Sequence, residues 1–218
     1  RSRGLGDVYK RQAMYTESGG MAWMKGNIEM STNAKGGLMK GLGRALSGES
    51  LFMTTYTSHA PDCLIVFTPE APGHVLDIEL AAGQSIICQK DAFMCAESSV
   101  DLAMHFRKKL GAGFFGGEGF VLQKITGPGI AFLEIPGEVR EYTLVAGETM
   151  RVDPGHIAAF EPTVQYDIAM VKGFKNMLFG GEGLFLATLT GPGKIWLQSL
   201  PLSNLAGKLA KYMPMKSS

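Results

Sequence analysis

Residues 115–129 read FGGEGFVLQKITGPG, and residues 179–193 read FGGEGLFLATLTGPG, the same sentence written twice at a spacing of 64. Self-similarity at a fixed period precedes any motif assignment, because it declares a fold built from stacked copies of one unit. A second register agrees. Pro72-Gly73-His74-Val75 through Gly83 lies 64 residues before Pro136-Gly137-Glu138-Val139 through Gly147. A third copy shows in Gly48-Glu49-Ser50-Leu51-Phe52, which aligns with Gly181-Glu182-Gly183-Leu184-Phe185. The chain therefore reads as three repeats, about 13–71, 72–135 and 136–201, forming a single domain over 13–213.

Each copy carries β patterning. Leu76, Ile78 and Leu80 alternate with Asp77 and Glu79, the period-two signature of a strand with one buried face. Val121-Leu122 and Ile130-Ala131-Phe132-Leu133 are short apolar runs bounded by glycine. Gly-Pro-Gly at 127–129 and 191–193, Pro-Gly at 72–73, 136–137 and 154–155, and Ala-Gly at 82–83 and 146–147 supply turns. The expected fold is all-β, a three-repeat sandwich or roll arranged about a pseudo-threefold axis. Helix is expected only in a short piece of the 37–46 loop and at 202–213, where Leu202, Leu205 and Leu209 recur at helical spacing.

The first repeat is short at its start. Aligning Gly20-Met21-Ala22-Trp23-Met24 with Asp91-Ala92-Phe93-Met94-Cys95 leaves the strands of 72–88 and 136–152 with no counterpart before residue 13. One open sheet edge is expected there. Residues 1–12, RSRGLGDVYKRQ, match nothing in the repeat and read as a non-native segment.

Composition excludes several classes. Hydrophobic residues make up 45% of 218 positions, enough for a substantial core. The longest stretch without Asp, Glu, Lys or Arg is 13 residues, Ile195–Gly207, too short for a spanning helix of roughly 20. Residues 1–12 hold four of the 21 basic and one of the 20 acidic residues, leaving 17 and 19. That balance argues against nucleic acid as the main partner.

Gly19-Gly20-Met21-Ala22-Trp23-Met24, the glycine-rich loop into Gly48-Glu49-Ser50, Pro72-Gly73-His74-Val75, and Phe179-Gly180-Gly181-Glu182-Gly183 with Thr190-Gly191-Pro192-Gly193 together resemble the altered-inheritance-of-mitochondria protein 24 family. The resemblance runs from about 13 to 213. It implies a three-repeat fold similar to that of the tryptophan RNA-binding attenuation protein, a cytoplasmic bacterial branch, and no catalytic residues.

The residues agree with that silence on chemistry. His59, His74, His105 and His156 fall at inequivalent repeat positions, with no His-x-His pair, so no metal site is expected. Cys63, Cys88 and Cys95 are odd in number and lack C-x-x-C spacing; small buried thiols are expected, with a Cys88–Cys95 redox pair as the alternative. No catalytic, cofactor-binding or metal residues are assigned. Glu49, Glu118 and Glu182 recur in every copy and are expected to accept backbone N–H groups in a glycine-rich turn, against the alternative of three carboxylates gathered round one axis.

Residues 35–50, KGGLMKGLGRALSGES, are no phosphate loop, because Leu42 and Gly43 stand where Lys and Ser belong. They have counterparts at 107–116 and 172–180 that also join basic residues, glycines and large apolar side chains. Leu38, Met39, Leu42, Arg44, Arg107, Lys108, Lys109, Phe114, Phe115, Lys172, Phe174, Lys175 and Leu178 are thus candidate interaction residues. They suit contacts between copies in a homo-oligomer, or an anionic membrane surface or membrane-bound partner. The functional expectation is a non-enzymatic oligomeric scaffold or binding module, cytoplasmic or peripheral to a membrane, without cofactor. The alternative is an enzyme, small-molecule or metal-dependent, using a pocket between repeats.

Overall fold

The computed structural model of the chain describes residues 13–17, 19–34, 52–108, 119–170 and 185–212. Six strands of the second repeat set the pattern: β6 (Gly73–Leu80), β7 (Ser85–Gln89), β8 (Phe93–Glu97), β9 (Asp101–Lys108), β10 (Phe120–Thr126) and β11 (Gly129–Pro136). The third repeat reproduces them as β12 (Val139–Leu144), β13 (Thr149–Val152), β14 (Ile157–Phe160), β15 (Gln165–Met170), β16 (Phe185–Thr190) and β17 (Gly193–Gln198). The first supplies five: β1 (Ala13–Glu17), β2 (Met21–Lys25), β3 (Ile28–Ala34), β4 (Phe52–Ser58) and β5 (Leu64–Phe67). One helix, α1 (Leu202–Ala210), follows and ends before residue 213 because Lys211 and Tyr212 form a closing turn.

Strands of neighbouring repeats interleave in a fixed way. One six-stranded sheet runs β3-β4-β1-β8-β11-β6, and the other runs β9-β10-β7-β14-β17-β12. In each, three strands of one repeat join three of the next, always through the same seam: β1 to β8, then β7 to β14. The all-β expectation and its threefold internal repetition hold, since a β15-β16-β13 sheet and a β2-β5 pair complete the series. Turns hold the pleat. Gly129 and Gly193 sit at φ of 134° and 143°, a region that favours glycine, where a Cβ would strike Ser99 and Thr163 respectively.

The register corrects the sequence alignment by one residue. Pairing skips one residue between Phe93 and Cys95, between Ile157 and Ala159, and between Met21 and Trp23, so the same bulge recurs in every copy. Trp23 is therefore equivalent to Cys95 and Ala159, and Met24 to Ala96 and Phe160. Hydrophobic residues on both sides of the bulge in every copy hid this offset from a pattern based on glycine positions.

The core divides by repeat. One cluster surrounds Phe93, Leu133 and Ile135 and takes in Tyr15 from the first repeat; its counterpart surrounds Ile157, Leu189 and Ile195 and takes in Ile87 from the second. A third, around Tyr56, Ile65 and Phe67, draws its extra members from the second repeat. Among the described residues it receives nothing from the third.

Candidate functional site

The seams between repeats are where the copies differ, so they are where function can be written. At the first seam, Tyr15 of β1 inserts into the next repeat, stacks on Phe93 with centroids 5.7 Å apart, and donates its hydroxyl to the Val100 carbonyl at 3.1 Å. Beside it the Thr16 hydroxyl donates to the Met94 carbonyl at 2.6 Å. Both of these buried hydroxyls find a partner, as burial requires.

At the second seam, the register places Ile87 where Tyr15 stood, since Ile87 opposes Lys124 as Tyr15 opposes Thr55. An aromatic ring now enters from the other wall. Tyr166 occupies the position equivalent to Leu102 and lies between Phe120 and Phe160, stacked on both at 5.8 and 5.7 Å, with Phe106 edge-on at 5.4 Å. Its hydroxyl is buried and makes no hydrogen bond among the described residues. Burial and the neighbouring Asp167 push the phenol pKa far up, so this oxygen keeps its proton. Beside the Tyr166 side chain opens a cavity of about 360 Å³, lined by Ile87, Phe160 and Val164 within and by His105 and Lys124 toward the rim. His105 is the residue that β9 leaves out of register, because Met104 opposes Gln123 while Phe106 opposes Leu122. Such bulges re-aim side chains.

The two seams also differ in charge. Glu17 ends β1 and Glu134 lies on β11, whereas Gln89 and Gln198 hold the equivalent places one repeat later. Gln198 donates from Nε2 to the Gly155 carbonyl at 2.7 Å and to Gln89 Oε1 at 3.4 Å, a neutral network. Glu134 instead accepts the Glu70 backbone N–H at 2.6 Å. Burial, reinforced by the charges of Glu70, Asp91 and Glu17 against the lowering effect of that hydrogen bond, raises its pKa to about 7.

Among the described residues the third seam is not closed: β13 pairs there with β16 alone and β2 with β5 alone, although their equivalents β7 and β8 each carry a second partner. The inserting residue is here Arg151, opposite Thr188, and it is exposed. A guanidinium cannot enter the apolar space that Tyr15 and Ile87 fill. On the facing edge Trp23 is 56% and Met24 40% exposed, while their four equivalents are at most 1% exposed.

Comparison with known proteins places this architecture. The profile of the family described as mitochondrial biogenesis AIM24 matches residues 7–200. The chain belongs to the AIM24 family. It is 32% identical over 220 residues to the uncharacterized protein M6_Spy0233 of Streptococcus pyogenes serotype M6, covering 97% of this chain and 87% of that one. The crystal structure of SPYM3_0169 from Streptococcus pyogenes superposes with a TM-score of 0.76 at 28% identity, covering 98% of this chain and 97% of that one.

In this AIM24 chain, the predicted interaction residues fall largely outside the described residues. That holds for Leu38, Met39, Leu42, Arg44, Lys109, Phe114, Phe115, Lys172, Phe174, Lys175 and Leu178, for the 37–46 segment, and for Glu49, Glu118 and Glu182. Arg107 and Lys108 are placed through their backbone, at the end of β9 opposite Val121 and Phe120. A turn role of the same kind is taken by another pair of glutamates that pattern reading passed over. Glu97 accepts the Ile130 N–H and Glu161 the Lys194 N–H, both at 2.9 Å, just after each Gly-Pro-Gly. Their spacing of 64 was visible in the sequence, but Lys25 breaks the series in the first repeat.

The histidines stay apart. His59 pairs with Glu29 on the surface at 2.9 Å, while His74 and His156 hold the carbonyls of Gly137 and Gln198. No group of three metal-ligating side chains occurs among the described residues. Cys63, Cys88 and Cys95 are free, buried thiols. Among the described residues no helix is long and apolar enough to cross a membrane.

Proposed function

We propose that this protein is a non-enzymatic assembly module, a scaffold that self-associates through its open third seam. The observation that carries the reading is the exposure of Trp23 and Met24 on an unzipped strand edge whose two counterparts are closed. Burying a large apolar side chain stabilises by about 1.5–3 kcal/mol, and an unpaired edge is a template for another strand. The partner that fits is β13 of a second copy, in the register that already joins β1 to β8 and β7 to β14. Such a head-to-tail contact builds rings or short arrays, in keeping with a fold similar to the tryptophan RNA-binding attenuation protein.

The separation of the histidines and the burial of the thiols support a non-catalytic role. The reading places the protein in the cytoplasm, with the basic and apolar loops around Phe114 and Phe174 as its contact to a membrane surface; flotation with anionic and neutral liposomes tests that part. The test of assembly is light scattering at micromolar concentration, with Trp23→Glu alongside. Assemblies that Trp23→Glu reduces to the 23.4 kDa monomer support the proposal; a monomer in both ends it.

A further inference from the structure

We infer that the third seam is keyed by an ion pair between copies, Arg151 of one chain with Glu29 of the next. The inference rests on self-association through that seam and names what selects the partner. Strand register fixes the equivalences. Tyr15, Ile87 and Arg151 oppose Thr55, Lys124 and Thr188. The residues that follow these, Tyr56, Ile125 and Leu189, oppose Met30, Leu102 and Tyr166. One place further, Thr57, Thr126 and Thr190 oppose Glu29, Asp101 and Gln165. Each repeat therefore meets the inserting residue of its neighbour with one large, mainly apolar side chain and, beside it, one polar side chain.

The closed seams show what that wall does. At the first, Tyr15 shares a core cluster with Leu102, and its hydroxyl reaches the carbonyl of Val100, the residue before Asp101. Burial, and after it the charge of Asp101, pushes the Tyr15 phenol pKa far up, so the head of the inserting side chain lies within the field of that carboxylate. At the second seam both members are uncharged, Ile87 and Gln165. At the third they are a cation and an anion. Arg151 is exposed and has no ion-pair partner among the described residues. Glu29 meets His59 Nε2 at 2.9 Å through Oε2, and its Oε1 has no partner among the described residues. Met30 is 49% exposed where Leu102 is 6% exposed. The register that sets Tyr15 opposite Ala96 sets Arg151 opposite Met24. The Arg151 stem then covers Met24 and Met30 while its guanidinium stays at the rim on Glu29, outside the apolar space. Two β13 edges meeting each other would bring two such cations together, so the key favours head-to-tail contact.

Sedimentation velocity at micromolar concentration and low salt, run on the parent, Arg151→Glu, Glu29→Arg and the double variant carrying both changes, tests the key. Both positions are exposed, so every variant is expected to fold as the parent does by circular dichroism. Each single change sets like charges against each other and is expected to weaken self-association about tenfold, whereas the double variant, with the charges exchanged, should return to within about threefold of the parent. Added salt should weaken the parent and the double variant alike. Rescue by the double variant is the result a merely structural role for either residue would not give. A parent that assembles, with Trp23→Glu dissociating it but either single charge change leaving it intact, would overturn the ion pair and keep the seam. A double variant no better than the single ones would overturn the ion pair as well. A monomeric parent would end both the seam and its key.

Discussion

The Glu134 carboxylate accepts the backbone N–H of Glu70 at 2.6 Å, across the 64 residues that define the repeat. One repeat later the same position is Gln198, bonded to Gln89. The fold thus contains a titratable seam and a neutral copy of it.

That contrast sets a pH prediction. Glu134 has its pKa raised from 4.5 to about 7 by burial, with Glu70, Asp91 and Glu17 adding to the effect. Between those values the folded state holds a proton that the unfolded state has released, so stability falls as pH rises. The contribution is full below about pH 4.5 and lost through about pH 7, amounting to about 1–2 kcal/mol after solvent screening. Urea unfolding at pH 5 and pH 8 should show this decline, and Glu134→Gln should flatten it by raising stability at pH 8. A parent protein as stable at pH 8 as at pH 5 would contradict the assignment.

Thiol chemistry follows from burial. Desolvation raises the pKa of Cys88 and Cys95 far above that of a free thiol, so neither offers a thiolate. A thiol-reactive chromogen should titrate at most Cys63 in the native protein and three thiols in denaturant. Native loss of two thiols as a disulfide would instead favour the Cys88–Cys95 redox alternative.

Glu97 and Glu161 cap the strands that follow the Gly-Pro-Gly turns. Glu161→Ala should cost about 1–2 kcal/mol, because it strands the Lys194 N–H at a half-buried turn. Glu161→Gln should cost less, since its amide oxygen can still accept. Thermal melts of the two variants separate a hydrogen-bond role from one of charge, which would make the two substitutions equal.

How far the sequence carried the fold depended on repetition. The spacing of 64 and the Gly-Pro-Gly turns exposed the unit because turn residues are constrained by backbone geometry and so recur in print. Trp23, Cys95 and Ala159 share the position just after the bulge yet share no chemistry, and only hydrogen-bond register revealed them as equivalents. The seams were illegible for the same reason. Tyr15 with Leu102, and Ile87 with Tyr166, exchange a ring across a gap between strands distant in sequence, and no one-dimensional pattern records which wall supplies it.

That exchange yields the sharpest mutational contrast. Tyr15→Phe removes the buried hydrogen bond from the phenol to the Val100 carbonyl, so a loss of about 1–2 kcal/mol is expected. Tyr166→Phe removes a buried hydroxyl that has no partner among the described residues, so stability should stay level or rise by up to about 1 kcal/mol. The two substitutions delete the same atom from the same kind of seam, so side-chain volume and β propensity cancel in the comparison. Chemical denaturation of both variants at one pH measures the difference directly. Equal destabilisation would mean that the Tyr166 hydroxyl is satisfied in the folded protein, and that the two seams are alike in a way the geometry denies.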